Sequence, residues 1–281
     1  MDSLLSLHDI RALGKAKGVS YTPGNLDGLA LVITQLAGDY LSIGDAEELV
    51  LSAVRGGLVS PRDALRMYAE TPVAEHGKAF CSSTFDPFGD QESRGYLRNY
   101  FRVSDPGIIK KLEHLSFTLG LERCIESLSS SRFLGYPELL GTHRILFQDL
   151  YPWAGIDRLA TSPNLSISKG AAGATGAVSF AEPLEISRSV EYAIKGVVGK
   201  RFVRENLGTI LGNLAFAHPF LDGNGRALLT FHREICRRSG FEVAWEAVDT
   251  KEYLMALSEE ISHPNNGYLN GFLKRYIFEV E

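Results

Sequence analysis

The stretch Ala217-His-Pro-Phe-Leu-Asp-Gly-Asn-Gly-Arg226 is the most informative part of this 281-residue sequence. Apolar residues recur at helical spacing before and after it, which predicts one helix ending near Ala217 and a second helix over 224–238. A Gly-Asn-Gly loop therefore opens directly into a helix N-terminus. Free backbone N–H groups and the positive end of the helix dipole meet there, and Gly223 and Gly225 let the backbone approach an anion closely. The pattern predicts a phosphate-binding loop.

The side chains around this loop supply the other groups that phosphoryl or nucleotidyl transfer needs. His218 is a candidate base for a hydroxyl proton, and Asp222 is a hard oxygen ligand suited to Mg²⁺. Arg226 can clamp phosphate oxygens with its fork, and Asn224 can add an amide donor. Phe220 is expected to point into the core and anchor the loop. The alternative is a tight helix–helix turn with an ordinary exposed histidine, which this combination of residues disfavours.

This segment resembles the signature of Fic proteins, His-x-Phe-x-(Asp/Glu)-Gly-Asn-Gly-Arg-x-x-Arg, as far as the first arginine. The stretch His143-Arg-Ile-Leu-Phe-Gln-Asp-Leu-Tyr-Pro-Trp-Ala-Gly155 is similar to the helix that ends in Tyr-x-Trp-Ala-Gly in that family. Residues 165–180 are similar to the family's β-hairpin flap. Tyr96-Leu-Arg-Asn and Asp105-Pro106 resemble the start of the domain in the Bartonella effector type. The resemblance covers roughly residues 80–281.

The resemblance implies a mainly α fold: a Fic/Fido helical core with one small β-hairpin flap, preceded by a small helical segment. We expect the Fic domain at 79–281 and a regulatory or partner-binding segment at 1–78. The flap would pair with an extended segment of a target protein by strand addition. Ser168 and Lys169 in the flap are candidate target-binding residues, although a loop lysine that only contacts solvent is an equal alternative.

The resemblance also implies an adenylyltransferase that uses ATP and Mg²⁺. His218 would deprotonate a Ser, Thr or Tyr hydroxyl of the target protein, whose oxygen would attack the α-phosphorus. AMP would stay on the target, and pyrophosphate would leave. Asp222 would hold Mg²⁺, the Gly-Asn-Gly loop at 223–225 would form the anion hole, and Arg226 would hold the β-phosphate.

The sequence departs from the family pattern at Leu229, where a second arginine is expected. That arginine would share a helix face with Arg226 and help it hold the terminal phosphates. The donor is then either ATP, with Arg233 as a candidate substitute cation, or another donor such as UTP or CDP-choline. A Doc-type kinase is disfavoured, because its motif carries Asn-Lys-Arg where this chain has Asn224-Gly-Arg226.

The N-terminal segment suggests regulation only faintly. Many Fic proteins are inhibited by a helix with the pattern (Ser/Thr)-x-x-x-Glu-(Gly/Asn), supplied in cis or by a small antitoxin. The nearest match is Thr71-Pro-Val-Ala-Glu75, but His76 follows where Gly or Asn is expected. A small antitoxin-like inhibitor is therefore a candidate partner, and a helical appendage that packs or binds another partner is the preferred interpretation. A toxin–antitoxin component and a degenerate scaffold that binds nucleotide without transfer are the competing classes.

Composition narrows the class of protein further. The net charge is −5 and 44% of the residues are apolar, so no concentrated basic surface indicates nucleic-acid binding. The sequence has neither an apolar run long enough for a membrane span nor a secretory signal at its N-terminus. Cys81, Cys124 and Cys236 lack metal-ligand or redox spacing. We expect a bacterial protein of a reducing cytoplasm, or an effector secreted into a host cell without a signal peptide.

The apolar pattern also predicts secondary structure along the whole chain. The loops include residues 127–131, and the hairpin uses strands near 165–168 and 178–181. His143, His232 and Trp153 are interpreted as structural. The predicted helices cover 4–15, 25–41, 46–55, 61–69, 106–127, 137–151, 183–198, 203–217, 224–238, 251–260 and 268–278.

Overall fold

The computed structural model describes residues 26–39, 41–70, 98–170, 177–195, 197 and 199–280. The helix predicted at 4–15, the candidate inhibitory match at 71–75 and Cys81 lie outside the described residues. Among the described residues, eleven helices are α1 (Asp27–Leu36), α2 (Asp45–Arg55), α3 (Pro61–Glu70), α4 (Pro106–Ser130), α5 (Tyr136–Phe147), α6 (Arg158–Thr161), α7 (Ile186–Ile194), α8 (Lys200–Ala217), α9 (Asn224–Arg238), α10 (Thr250–Ser262) and α11 (Tyr268–Leu273). The short strands are β1 (Ser168–Gly170), β2 (Ala177–Ser179), β3 (Phe241–Val243) and β4 (Ile277–Glu279).

The mainly α fold with a small hairpin is confirmed. β1 and β2 pair antiparallel, with Lys169 opposite Val178. The hairpin strand begins at Ser168, so the prediction of a strand at 165–168 was wrong by about three residues. A second antiparallel pair, β3 with β4, was not predicted, because the predicted last helix, 268–278, included the first residues of β4.

Two predicted helix starts are confirmed by their caps. The Asp105 carboxylate accepts a hydrogen bond from the Ile108 N–H at 3.0 Å, and Pro106 is the first residue of α4. The Ser60 hydroxyl accepts a hydrogen bond from the Asp63 N–H at 3.2 Å at the start of α3. In contrast, the prediction that the serine run 127–131 forms a loop was wrong, because α4 continues to Ser130.

The described residues form two compact units. The described part of the first unit is residues 26–31, 41–70, 98–122 and 145–154. Within it, the buried Glu47 carboxylate accepts a hydrogen bond from the Tyr68 hydroxyl at 2.7 Å and lies 2.6 Å from the Lys111 ammonium. Trp153 is buried, and its indole N–H donates to the Arg98 carbonyl at 2.9 Å, which confirms its structural role.

The described part of the second unit is residues 32–39, 123–144, 155–170, 177–195, 197 and 199–280. Helix α8 is its central element and packs against α7, α9, α10 and α11. His232 on α9 is fully buried, and burial lowers its pKa to about 4, so its ring is neutral. Its Nε2 lies 2.8 Å from the Leu207 carbonyl of α8 and joins the two helices that carry the motif. The structural interpretation of His232 is confirmed.

Candidate active site

The predicted phosphate-binding loop connects α8 to α9 within the second unit. Helix α8 ends at Ala217, and His218, the next residue, adopts a left-handed conformation with φ 40° and ψ 58°. This conformation is uncommon outside glycine and is typical of functional sites. Gly223 also has a positive φ, 72°, and precedes Asn224, the first residue of α9. The backbone N–H groups of the first helical turn, at 224–226, therefore have no acceptor inside the helix and are available to an anion.

The side chain of Asn224 holds this loop closed. Its Oδ1 accepts a hydrogen bond from the Phe220 N–H at 2.9 Å, and its amide donates to the Phe220 carbonyl at 2.7 Å. Phe220 is fully buried, as predicted, and its ring stacks on His143 with centroids 3.9 Å apart. The bond to the Phe220 carbonyl uses one of the two N–H groups of the Asn224 amide, so the residue can offer a phosphate its backbone N–H and its second amide N–H.

His143 holds the loop in place through hydrogen bonds of its ring, which confirms its structural interpretation. Its Nδ1 accepts a hydrogen bond from the Gly155 N–H at 2.9 Å, so its Nε2 carries the proton and donates to the Asp222 carbonyl at 3.0 Å. Complete burial lowers the pKa of His143 to about 3, and the ring is neutral at physiological pH. The Asp222 carboxylate itself accepts from the Gly223 N–H at 2.6 Å. The main chain and side chain of Asp222 are thus both positioned.

His218 has the environment of a poised base. Its side chain is 6% exposed and stacks on Phe180 with centroids 4.0 Å apart. Its Nε2 is buried and has no hydrogen-bond partner among the described residues. Burial, followed by the positive charges of Lys169 and Arg158, lowers its pKa well below the ordinary value. The neutral ring can therefore accept a proton at neutral pH.

Arg158 positions His218 and was not identified from the sequence. Its guanidinium is fully buried and donates to three main-chain carbonyls: His218 at 2.8 Å, Leu165 at 2.9 Å and Ala181 at 2.7 Å. It thereby joins the loop that follows α8 to both sides of the β1–β2 hairpin. No local pattern marks it, since its partners are carbonyls that come together only in the folded chain.

The guanidinium of Arg226 lies inside the protein rather than at its surface. Arg226 is 2% exposed, and its Nη2 lies 3.6 Å from Oδ2 of Asp39, which follows α1 and belongs to the same unit. The backbone at Gly225 also lies close to Ala37, just after α1. A Cβ added to Gly225 would lie 2.8 Å from the Cβ of Ala37. Only glycine allows this approach at position 225.

A cavity of about 240 Å³ lies beside the loop within the second unit. Of the predicted site residues, Lys169, His218, Asn224 and Gly225 line it, whereas Asp222, Gly223, Arg226 and Ser168 do not. Leu229 also lines it. The predicted substitute cation Arg233 lies elsewhere and pairs with Glu242 at 2.8 Å. Most of the remaining lining is apolar, and includes Leu36, Val178, Phe180, Leu228, Tyr253, Leu254, Leu257 and Ile261.

Asp222 fits a magnesium site that is completed by a substrate. Within the described ranges, no three His, Cys, Asp or Glu side chains cluster closely enough to hold a metal ion by themselves. Mg²⁺ is usually bound by one or two carboxylates together with substrate phosphates and water. A single positioned carboxylate beside a phosphate-binding loop matches that donor set.

The fold and the loop between α8 and α9 together indicate the class of protein. The crystal structure of BepC, a VirB-translocated effector protein from Bartonella tribocorum with bound AMPPNP, is similar with a TM-score of 0.52 and 17% sequence identity. The likeness covers 68% of this chain and 96% of that chain. The N-terminal Fic domain of a putative cell filamentation protein from Bartonella quintana, with bound ADP, is also similar, with a TM-score of 0.51 and 18% sequence identity over 68% of this chain and 94% of that chain. The chain therefore has the Fic fold, and the resemblance inferred from the motif is confirmed.

Curated relatives point to the same class. The chain is 27% identical over 195 residues to the protein adenylyltransferase VbhT of Bartonella schoenbuchensis, and the match covers 69% of this chain and 39% of VbhT. It is 26% identical over 175 residues to y4lH of Sinorhizobium fredii, a probable protein adenylyltransferase, with 59% of this chain and 83% of y4lH covered. No protein-family model matches the chain. Among the described residues, no helix has the length and apolar character needed to cross a membrane.

Proposed function

We propose that this chain transfers AMP from Mg-ATP to a Ser, Thr or Tyr hydroxyl of a target protein and releases pyrophosphate. One observation carries the proposal: the neutral, buried ring of His218 lines the same cavity as the first turn of α9. A proton acceptor and an anion-binding helix N-terminus thus face one space. The names of VbhT and y4lH, both protein adenylyltransferases, support the same activity.

The proposed reaction is an in-line displacement at the α-phosphorus. His218 accepts the proton of the target hydroxyl while the hydroxyl oxygen forms a bond to the α-phosphorus. The bond between that phosphorus and the bridging oxygen breaks, and the electron pair leaves with pyrophosphate. The target then carries AMP, and His218 carries the proton until it passes to solvent or to the leaving group.

The remaining groups bind and orient the donor. The Gly-Asn-Gly loop forms the anion hole, through the N–H groups of Asn224 and Gly225, since the Gly223 N–H is bonded to the Asp222 carboxylate. Arg226 is the proposed contact for the β-phosphate. Asp222 would hold Mg²⁺, which when bound offsets the negative charge of the phosphates. The β1–β2 hairpin offers Ser168 and the backbone of β1 to an extended target segment.

The cavity wall that contains Leu229 favours a second candidate donor. Leu229 is 1% exposed and lines the cavity with other apolar side chains, so it adds no charge for a γ-phosphate. This observation favours a donor with fewer terminal charges, such as CDP-choline. UTP is the other alternative donor, and because it carries the same triphosphate as ATP it would need the same charge from other groups. ATP stays first, because both curated relatives carry the adenylyltransferase name.

The donor is tested by labelling. Purified chain and Mg²⁺ are incubated with bacterial and eukaryotic lysates and with labelled ATP, UTP, GTP, CTP or CDP-choline. His218→Ala is compared with His263→Ala, which removes an exposed histidine. Protein labelling from ATP that disappears in His218→Ala and persists in His263→Ala is the expected result. Labelling from another donor alone would replace ATP, and no labelling from any donor would overturn the transferase.

A further inference from the structure

Lys169 lies on the face of the β1–β2 hairpin that lines the cavity. It is the middle residue of β1 and lies directly opposite Val178 of β2. Residues directly opposite each other in an antiparallel pair project from the same face of the sheet. Val178 is 5% exposed and lines the 240 Å³ cavity, and so does Lys169. This face of the hairpin is therefore the one that covers the cavity.

The neighbouring residue of the hairpin projects the other way. Ser168 is paired with Ser179, one residue along each strand, and successive side chains of a strand alternate between faces. Ser168, Ser179 and Lys169 are all exposed, but neither serine lines the cavity, whereas Lys169 does. The two flap residues predicted to bind the target thus separate: Ser168 lies on the outer face, and Lys169 lies on the face toward His218.

Lys169 is also the charged side chain of the cavity. Among the described residues that line it, no other side chain carries a formal charge at neutral pH, since the His218 ring is neutral. The position where a second phosphate-binding arginine would stand is occupied by Leu229. The charge of Lys169 reaches the catalytic residue, because it contributes to the lowered pKa of His218.

We propose that Lys169 binds the phosphate chain of the donor and supplies the positive charge that Leu229 lacks. A lysine has the reach and the three donors needed to contact phosphate oxygens from the hairpin. The helix N-terminus at 224–226 and the ammonium group of Lys169 then contact the phosphates from two sides of one cavity. The proposal rests on a nucleotide donor at this site, as proposed above.

The test is a binding series that needs no target protein and no turnover. Dissociation constants are measured by calorimetry, with Mg²⁺, for adenosine, AMP and α,β-methylene-ATP, an analogue that cannot transfer AMP. The proteins are wild type, Lys169→Gln, Lys169→Arg and Lys200→Gln. Lys200 is an exposed lysine at the start of α8 that does not line the cavity, so it controls for the loss of one surface charge.

We expect Lys169→Gln to weaken the ATP analogue about tenfold, AMP by a smaller factor and adenosine by less than twofold. Lys169→Arg and Lys200→Gln should bind all three ligands within about threefold of wild type. Equal binding of the ATP analogue by wild type and Lys169→Gln would overturn the role of Lys169 alone. Equal weakening of adenosine and the analogue would also overturn it, since the loss would then not follow phosphate. Failure of wild type to bind the analogue would overturn both this inference and the proposed nucleotide donor.

Discussion

The carboxylate of Asp39 lies 3.6 Å from the guanidinium of Arg226, the residue proposed to hold the β-phosphate. Both side chains are largely withdrawn from solvent, with 17% and 2% of their side-chain areas exposed. Asp39 belongs to the same compact unit as the motif, although it is distant in sequence. A carboxylate at this place competes with any phosphate that Arg226 would bind, since both are anions and seek the same cation.

Removing that charge should strengthen phosphate binding. We expect Asp39→Asn to bind the ATP analogue about fivefold more tightly than wild type, equivalent to about 1 kcal/mol. Calorimetry with the analogue and with adenosine measures the change. Glu122→Gln removes one negative charge from the exposed face of α4 and should leave both affinities unchanged. Weaker binding in Asp39→Asn would show that Asp39 supports the site rather than competing in it.

Arg158 should be irreplaceable by lysine. A lysine ammonium cannot reproduce the planar fork that reaches the carbonyls of His218, Leu165 and Ala181 together. We expect Arg158→Lys to lower kcat about 10- to 100-fold and to reduce the free energy of unfolding by about 2–4 kcal/mol, because buried carbonyls lose their donors. Arg188→Lys, at a side chain 82% exposed, is the matched control. Full activity in Arg158→Lys would contradict a positioning role.

Both the oxygen and the nitrogen of the Asn224 side-chain amide should contribute to stability. Asn224→Ala leaves the buried N–H and carbonyl of Phe220 without their partner, which should cost about 2–4 kcal/mol of stability. Asn224→Asp keeps the acceptor but places a buried carboxylate oxygen against the Phe220 carbonyl, so we expect a loss at least as large. Chemical denaturation measures both variants against wild type. Equal stability of wild type and both variants would show that the loop does not depend on the hydrogen bonds between Asn224 and Phe220.

The pH dependence of kcat/KM should reflect the buried environment of His218. Burial, and then the charges of Lys169 and Arg158, lower its pKa, so the free enzyme keeps a neutral base below pH 6.5. We expect kcat/KM to stay nearly constant from pH 7.5 to pH 6.5 and to fall only at lower pH. In Lys169→Gln, the loss of one neighbouring positive charge should move this fall to higher pH. A midpoint at or above pH 6.5 in wild type would contradict the geometry.

Stability should decline in mild acid because of the buried histidines. The pKa is about 3 for His143 and about 4 for His232, whereas an unfolded histidine titrates near 6.5. Below about pH 6.5 the unfolded chain therefore binds more protons, so the stability present above that pH is progressively lost as pH falls toward 4. We expect each side chain to reduce the free energy of unfolding by about 1 kcal/mol between pH 7 and pH 5.5.

Urea denaturation at the two pH values measures this decline. His143→Gln should lose the share of the pH dependence that belongs to His143. His263→Gln, at an exposed side chain, should behave as wild type. An unchanged pH dependence in His143→Gln would mean that this ring is not responsible.

How far the sequence predicts the structure depends on how local the responsible contacts are. The bounds of α9, 224–238, could be predicted because they depend on the local sequence pattern. The role of Phe220 as a buried anchor could be predicted for the same reason. Arg158 and Asp39 could not be found in this way, since each acts on a partner about 60 or more residues away. The last predicted helix ended at Leu273 instead of 278, because β4 pairs with a distant strand and overrides the local apolar pattern. The division of the chain near residue 78 stays a prediction.

The central claim is that His218 accepts a proton while AMP is transferred from ATP to a protein. The most direct measurement compares ATP labelled at the α-phosphate with ATP labelled at the γ-phosphate, using wild type, His218→Ala and a target found by labelling. We predict label on the target from α-labelled ATP only, with a rate at least about 100-fold lower in His218→Ala. Label from γ-labelled ATP would indicate a kinase, and undiminished transfer by His218→Ala would contradict the assigned base.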